Sequence, residues 1–189
     1  MKKFELTSET KINIFGKKLF RIKALVSFGV VKTGETGGWV EKEENVSQSG
    51  DAWVFDNAEV FDNARVFGNA EVSGNARVFG DAWVFDSAWV SGNARVFGNA
   101  EVSDNAWVSG NAEVSDNADY ATIHGFGTQF RTTTFFRCKD KQVKVSCGCF
   151  YGTIPEFCEQ VKNTRKGKIA EEYLMIADLM EKHFAEEAK

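Results

Sequence analysis

The chain has 189 residues, with 23 Lys+Arg against 27 Asp+Glu and a formal net charge of −4. Such a length can bury one core and small end modules without a second large domain. The charges are mixed and form no long single-sign run, which disfavours general nucleic-acid binding. No stretch approaches the roughly 20 apolar residues of a membrane span, and the N-terminus lacks the apolar region of a signal peptide. We therefore expect a soluble, cytoplasmic protein without membrane association.

The first 49 residues predict a small β module. Lys11 to Phe15 and Leu19 to Leu25 flank a turn at Gly16-Lys17-Lys18, which is typical of a hairpin. The segment GGWVEKEENVS follows and ends at Ser47. Because an open sheet end exposes backbone groups that invite further pairing, we assign residues 1–49 to an N-terminal β cap.

The central part of the chain is a hexapeptide repeat. Alanine recurs every six residues from Ala52 to Ala118, valine follows two places later from Val54 to Val114, and Tyr120 ends the series. Gly, Asp, Asn and Ser fill the intervening turns, where the left-handed backbone region is tolerated. One such unit cannot bury its apolar side alone, but three can close a coil and coils can stack about 4.8 Å apart. The sequence predicts a mainly β protein with a parallel β-helix over residues 50–122, about four coils of three hexapeptides.

This pattern resembles the hexapeptide coils of the left-handed parallel β-helix superfamily over about 72 residues. The resemblance implies a left-handed coil, and the superfamily includes acyltransferases, γ-type carbonic anhydrases and pure scaffolds. The segment Phe28 to Ser47 resembles an N-terminal module that precedes such coils in bacterial and bacteriophage proteins. That second resemblance implies a phage or prophage origin and a location in the cytoplasm of a bacterial host.

Outward side chains form vertical columns when the repeat is folded at 18 residues per coil. One column reads Trp53, Glu71, Trp89, Trp107; a second reads Glu59, Arg77, Arg95, Glu113; a third reads Arg65, Trp83, Glu101, Asp119. A soluble monomer seldom exposes large columns of aromatic side chains to solvent, so we predict a homodimer or homotrimer. Coverage by the end modules and simple stacking that reinforces the coil are the alternatives. The predicted partner surface comprises Trp53, Trp83, Trp89, Trp107, Phe61, Phe79 and Phe97.

Residues 123–189 predict an α+β module, a hairpin followed by two helices. Phe130 to Arg137 and Gln142 to Cys147 alternate around a Lys-Asp-Lys turn. Thr153 begins a capping box for a first helix, and Gly167 separates it from a second, amphipathic helix. The local signatures RTTTFF and SCGCF resemble C-terminal modules of similar phage-type proteins.

Few residues could support catalysis or hold a metal. A γ-carbonic-anhydrase site needs three histidines, and the chain has only His124 and His183. An acyltransferase with His124 as base, which the superfamily resemblance suggests, would imply coenzyme A binding and a trimer. The cysteines follow Cys-x8-Cys-x-Cys-x8-Cys, which fits small buried side chains better than a zinc site. We predict no metal, no cofactor and no catalytic residue, with His124 as the runner-up.

A polar, glycine-rich segment after the repeat is the predicted ligand site. Glycine amides, hydroxyls and a guanidinium can hold an anion, and Arg131 would be the anchor. An ordinary hairpin turn is the alternative interpretation. The predicted ligand-binding residues are His124, Gln129, Arg131, Thr132, Thr133 and Thr134.

The functional hypothesis is a non-catalytic, oligomeric binding or scaffold protein. The β-helix would be the assembly platform, and the C-terminal module would contact a host protein or a small anionic, nucleotide-type ligand to counter host defence. A hexapeptide acyltransferase and a structural virion or scaffold component are the competing hypotheses.

Overall fold

The computed structural model describes residues 2–185. The predicted terminal modules also include residues 1 and 186–189, which lie outside the described residues. The prediction of a mainly β fold is confirmed: the chain forms a parallel β-helix of about four turns, with a small N-terminal β region and two C-terminal helices.

The N-terminal region contains a hairpin at the expected turn, but its first strand lies earlier than predicted, because Asn13 to Phe15 belong to the turn and not to a strand. Strands β1 (Phe4–Ile12) and β2 (Lys18–Ala24) pair antiparallel. Strand β3 (Thr36–Val40) pairs antiparallel with β2 and parallel with the solenoid strand at Glu59 and Val60. The hairpin therefore continues one face of the solenoid, and β1 is the far edge of a seven-stranded sheet.

Eleven two-residue strands form the solenoid, each with one outward residue followed by an inward valine. Partners along each face are 18 residues apart, as Trp89 with Trp107 shows. All the inward valines and alanines of these strands and turns are at most 1% exposed, so they form a continuous core. The strands are β4 (Trp53–Val54), β5 (Glu59–Val60), β6 (Arg65–Val66), β7 (Glu71–Val72), β8 (Arg77–Val78), β9 (Trp83–Val84), β10 (Trp89–Val90), β11 (Arg95–Val96), β12 (Glu101–Val102), β13 (Trp107–Val108) and β14 (Glu113–Val114).

The twelfth repeat does not form a solenoid strand. Asn117–Asp119 is a 3-10 turn and Ala118 is exposed, so the expected inward alanine is absent from the core. Asp119 does not continue the column of Arg65, because its carboxylate folds back to accept the N–H of Ser115 at 2.8 Å. The chain leaves the coil here because the next residues pair into a different sheet.

The C-terminal region is a four-stranded antiparallel sheet followed by two helices. Strands β16 (Arg131–Arg137) and β17 (Val143–Cys147) are the predicted hairpin, and both predicted helices are present. Two flanking strands were not predicted. The remaining elements are β15 (Tyr120–Phe126), β18 (Phe150–Thr153), α1 (Ile154–Thr164) and α2 (Gly167–Phe184).

This sheet packs on both the helices and the last solenoid turn. Phe135 belongs to the core formed with α1 and α2, whereas its neighbour Phe136 belongs to the solenoid core. The Trp107 N–H donates to Thr134 Oγ1 at 3.0 Å, so β16 also satisfies a backbone group of the last coil. Among the described residues, no helix is long and apolar enough to cross a membrane.

Candidate functional site

The N-terminal region covers part of the aromatic columns. Trp53 is fully buried against Phe4 and Phe28, with ring centroids 5.8 and 5.3 Å away. Phe61 is 1% exposed and packs with Leu19 and Trp39. Trp53 and Phe61 are therefore core residues and do not contribute to an open surface.

The phenylalanine column next to this cover is also partly occupied within the chain. Phe79 stacks between Phe61 and Phe97, with centroid distances of 5.1 Å on both sides. The hairpin residue Phe15 lies 5.3 Å from Phe79, and the Arg95 guanidinium lies 5.5 Å from the same ring. Phe79 and Phe97 are consequently half-buried.

A second group of aromatic side chains is open, and we call it the aromatic ridge. Trp83 and Trp89 are each 40% exposed, while the other members are half-buried. Trp83 and Trp89 flank the same turn, which places the ridge on both sides of one corner of the solenoid. The ridge comprises Phe67, Trp83, Phe85, Trp89 and Trp107.

Each side of the ridge is held in a fixed orientation. The rings of Trp89 and Trp107 stack 4.9 Å apart, 8° from parallel. The Trp89 Nε1–H donates to Ser73 Oγ at 3.0 Å, which fixes this indole against the preceding rung. On the other side of the corner, Phe67 stacks on Phe85 at 4.9 Å and meets Trp83 edge to face at 5.9 Å.

A cavity of about 450 Å³ adjoins the ridge at its N-terminal end. It forms where the 3-10 turn Glu43–Asn45 and Val46 cover the start of this face, and Val46 bridges to Val66. The sequence did not reveal it, because the hexapeptide period begins only after this segment. The lining residues are Glu43, Glu44, Val46, Ser47, Gln48, Arg65, Val66, Phe67 and Trp83.

Arg65 is the unpaired cation of this cavity. Arg77 pairs with Glu59, with 3.4 Å between Nε and Oε2, and Arg95 pairs with Glu113, with 2.7 Å between Nη1 and Oε1. Within residues 2–185, by contrast, the Arg65 guanidinium forms no hydrogen bond or ion pair, and the residue is exposed. Arg65 stands beside Trp83 in the same column, so its unpaired charge lies next to an indole ring.

The predicted anion-binding residues are spread over two faces of the C-terminal sheet. Thr133 donates through Oγ1 to Cys147 Sγ at 3.1 Å, whereas Thr134 accepts the backbone N–H of Trp107 on the opposite face. Both threonines are buried.

The other members of that cluster are more open. His124 Nδ1 lies 3.3 Å from Thr132 Oγ1, which is the one side-chain hydrogen bond between members of this set among the described residues. Gln129 and Arg131 are exposed near the turn between β15 and β16, and Arg131 Nη1 packs against Gly148.

The cysteines do not converge on one point. Cys138 is 6% exposed, and burial raises the pKa of its thiol to about 11, whereas Cys149 is exposed. Within the described part of the chain, no three His, Cys, Asp or Glu side chains form a group that could hold a metal ion.

The model of the YdcK β-solenoid repeat matches residues 70–86, slightly less than one turn of the helix. No curated protein matches the chain. Together with the observed coil, the match supports a β-helix repeat protein.

Proposed function

We propose that the protein is a non-catalytic binding and scaffold protein whose aromatic ridge holds a protein partner. The observation that carries the proposal is the ordered, partly exposed group of five aromatic side chains beside the unpaired guanidinium of Arg65. Tryptophan and arginine are the residues that most often dominate binding energy at protein interfaces. Apolar patches that stay open on a soluble protein commonly mark such interfaces.

The fixed orientation of the ridge side chains favours binding of a partner. The indoles of Trp89 and Trp107 are held by stacking and by bonds to Ser73 and Ser91 at 3.0 and 3.4 Å. Side chains that are already ordered lose little entropy when a partner docks.

The cavity suggests the chemistry of the partner segment. An apolar side chain would fit against Phe67 and Trp83, and a neighbouring carboxylate would pair with Arg65. The adjacent Glu43 already accepts bonds from Lys2 Nζ at 2.8 Å and Gln48 Nε2 at 2.9 Å. Arg65 is therefore the cation of this cavity left for a partner's carboxylate, and it stands beside a second, exposed carboxylate in the lining, that of Glu44.

Binding of a partner can be tested with ridge variants. Tagged wild-type protein is expected to retain one protein from bacterial host extract in stoichiometric amount, and the purified partner should rebind. Trp83→Ala and Arg65→Glu should each weaken rebinding at least tenfold, since each removes an anchor worth about 1.4 kcal/mol or more. Lys23→Glu, an exposed change on β2, is the matched control and should bind like the wild type. Equal rebinding by all four proteins, despite unchanged unfolding curves, would contradict the proposal.

The finer parts of the functional hypothesis rest on the resemblances and remain proposals. We propose a phage or prophage origin, action in a bacterial cytoplasm and interference with host defence. An anionic, nucleotide-type ligand at Arg131, acyl transfer by His124 and a structural role in a virion stay predictions. Native mass spectrometry followed by denaturation distinguishes them: a released nucleotide that Arg131→Ala abolishes supports the first, coenzyme A binding supports the second, and copurification with particles supports the third.

A further inference from the structure

The outer side of α2 carries two exposed apolar side chains. The inner side buries Tyr173, Ile176, Ala177, Met180 and Phe184 against the C-terminal sheet and α1. On the opposite side, Met175 is 71% exposed and Leu179 is 56% exposed. They lie one helical turn apart, so they form a single apolar spot where a helix that packs only on its own domain would be polar.

Charged residues continue this spot in both directions. Glu172 precedes Met175 by three residues, and Lys182 follows Leu179 by three. The spacing 3-4-3 is that of the contact positions in a coiled-coil seam, which face one partner helix along one line. The seam of α2 therefore reads acid, apolar, apolar, base.

We propose that α2 pairs antiparallel with α2 of a second copy of this chain. In such a pair Met175 meets Leu179 of the second copy, and Glu172 meets Lys182 of the second copy. The two-fold axis makes each contact occur twice. A parallel pair would instead place Glu172 on Glu172 and Lys182 on Lys182, so the charges select the antiparallel arrangement.

The existing ion pairs of these residues leave them free to make the new contacts. Glu172, whose side chain is 30% exposed, lies 3.5 Å from Lys168, whose side chain is 85% exposed, and Lys182 lies 2.6 Å from Asp178, with side chains 72% and 64% exposed. Solvent-exposed pairs at this spacing contribute little and exchange readily with water and other partners.

A single helix pair buries less surface than the roughly 800 Å² per partner of a stable complex, so the dimer should form in the micromolar rather than the nanomolar range. This inference does not rest on the proposed function, because the aromatic ridge lies on the solenoid. The dimer would carry two ridges on one particle.

Charge exchange gives a sharp test by sedimentation velocity of the full chain, from low micromolar to several hundred micromolar. The wild type should move from monomer to dimer over this range. Glu172→Lys and Lys182→Glu should each stay monomeric, because each places two charges of the same sign opposite each other at both ends of the seam. An equimolar mixture of the two variants should dimerise, since residues 172 and 182 of the two chains then carry opposite charges at both ends of the seam. The double variant should recover the homodimer for the same reason.

Two controls separate this result from other causes. Glu159→Lys changes an exposed charge on α1 and should dimerise like the wild type. Trp83→Ala should also leave the dimer intact, which separates this seam from the partner surface of the ridge. A wild type that is monomeric throughout, single variants that associate like the wild type, or a mixture that stays monomeric would each overturn the proposal.

Discussion

Arg137 forms an ion pair with Asp119 at the junction of the solenoid and the C-terminal module, with 3.3 Å between Nε and Oδ1. The same guanidinium donates through Nη2 to the carbonyl oxygen of Phe184 at 2.9 Å. Since Asp119 belongs to the turn that ends the solenoid and Phe184 ends α2, this side chain adds a polar link between two modules whose hydrophobic cores already meet at Phe135 and Phe136 of β16. We therefore expect Arg137 to strengthen the coupling between the unfolding of the C-terminal module and that of the solenoid.

Arg137→Met should lower the free energy of unfolding by about 1–2 kcal/mol, because it removes charged hydrogen bonds that are partly exposed to solvent. All five tryptophans precede residue 108, so their fluorescence reports the N-terminal region and the solenoid, whereas circular dichroism at helical wavelengths reports α1 and α2. In urea, the helical signal of the variant should be lost before the fluorescence changes. Arg165→Met, which removes only a bond to the neighbouring Thr164 carbonyl, should keep the two transitions together. Coincident transitions in Arg137→Met at the wild-type midpoint would refute the coupling.

Gly38 is a point of close approach between β3 and the first turn of the solenoid. A Cβ atom there would lie 2.6 Å from Val54 Cγ1 and 2.8 Å from the Ala58 carbonyl oxygen. Gly38→Ala should cost about 2–3 kcal/mol, since overpacking of a dense core forces the backbone to shift. Gly34→Ala is the control: its φ of +87° is unfavourable for alanine, but its surroundings are open, so about 1 kcal/mol is expected. Equal urea midpoints for the two variants would show that β3 can move away from the coil.

The solenoid could be predicted because each rung repeats the same local requirement. A valine and an alanine point inward every six residues, and the turn residue that needs a left-handed backbone is either glycine or aspartate, such as Asp56 at φ 53° and Asp86 at φ 56°. The column positions follow from the same arithmetic, which is why Trp89 was expected next to Trp107.

The hexapeptide period does not predict which outward side chains are buried by other parts of the chain. Trp53 shares a column with Trp89 but is buried, because Phe4 and Phe28 reach it from outside the repeat. The Arg65 cavity depends in the same way on the irregular segment before the repeat. Strand alternation, in contrast, was available from the sequence: Thr133 and Thr134 are adjacent in a strand and so face opposite sides.

The cysteines should differ in their reactivity towards alkylating reagents. The thiolate is the reactive form, and burial holds the pKa of Cys138 near 11, so native protein at pH 8 should leave this residue unmodified. Cys149 is exposed and should be modified first. Peptide mass spectrometry after brief iodoacetamide treatment measures both sites, and treatment in urea is the control that exposes all thiols. Equal modification of Cys138 and Cys149 in native protein would contradict the burial of Cys138.

Lys3 should make stability rise with pH in the alkaline range. Its side chain donates from Nζ to the Ala52 carbonyl at 2.8 Å and to the Gly50 carbonyl at 3.2 Å, and the residue is 4% exposed. Burial lowers its pKa from 10.5 to about 8, a shift that the charge of Asp51 partly opposes. Between these two values the unfolded chain binds the proton and the folded chain does not. Linkage then requires the free energy of unfolding to increase as pH rises through this window.

Comparison with Lys3→Met isolates this contribution, because every other titrating group is common to both proteins. The wild-type free energy of unfolding minus that of the variant should increase between pH 8 and pH 10.5 and stay level below pH 8, where Lys3 is protonated in both states. Urea unfolding at several pH values, followed by tryptophan fluorescence, gives this difference. Lys23→Met, a change at an exposed lysine on β2, should show no such increase relative to the wild type. A constant difference for Lys3→Met across the window would mean that the ammonium keeps its proton inside the folded protein, with the two carbonyls of the first coil and Asp51 compensating its burial.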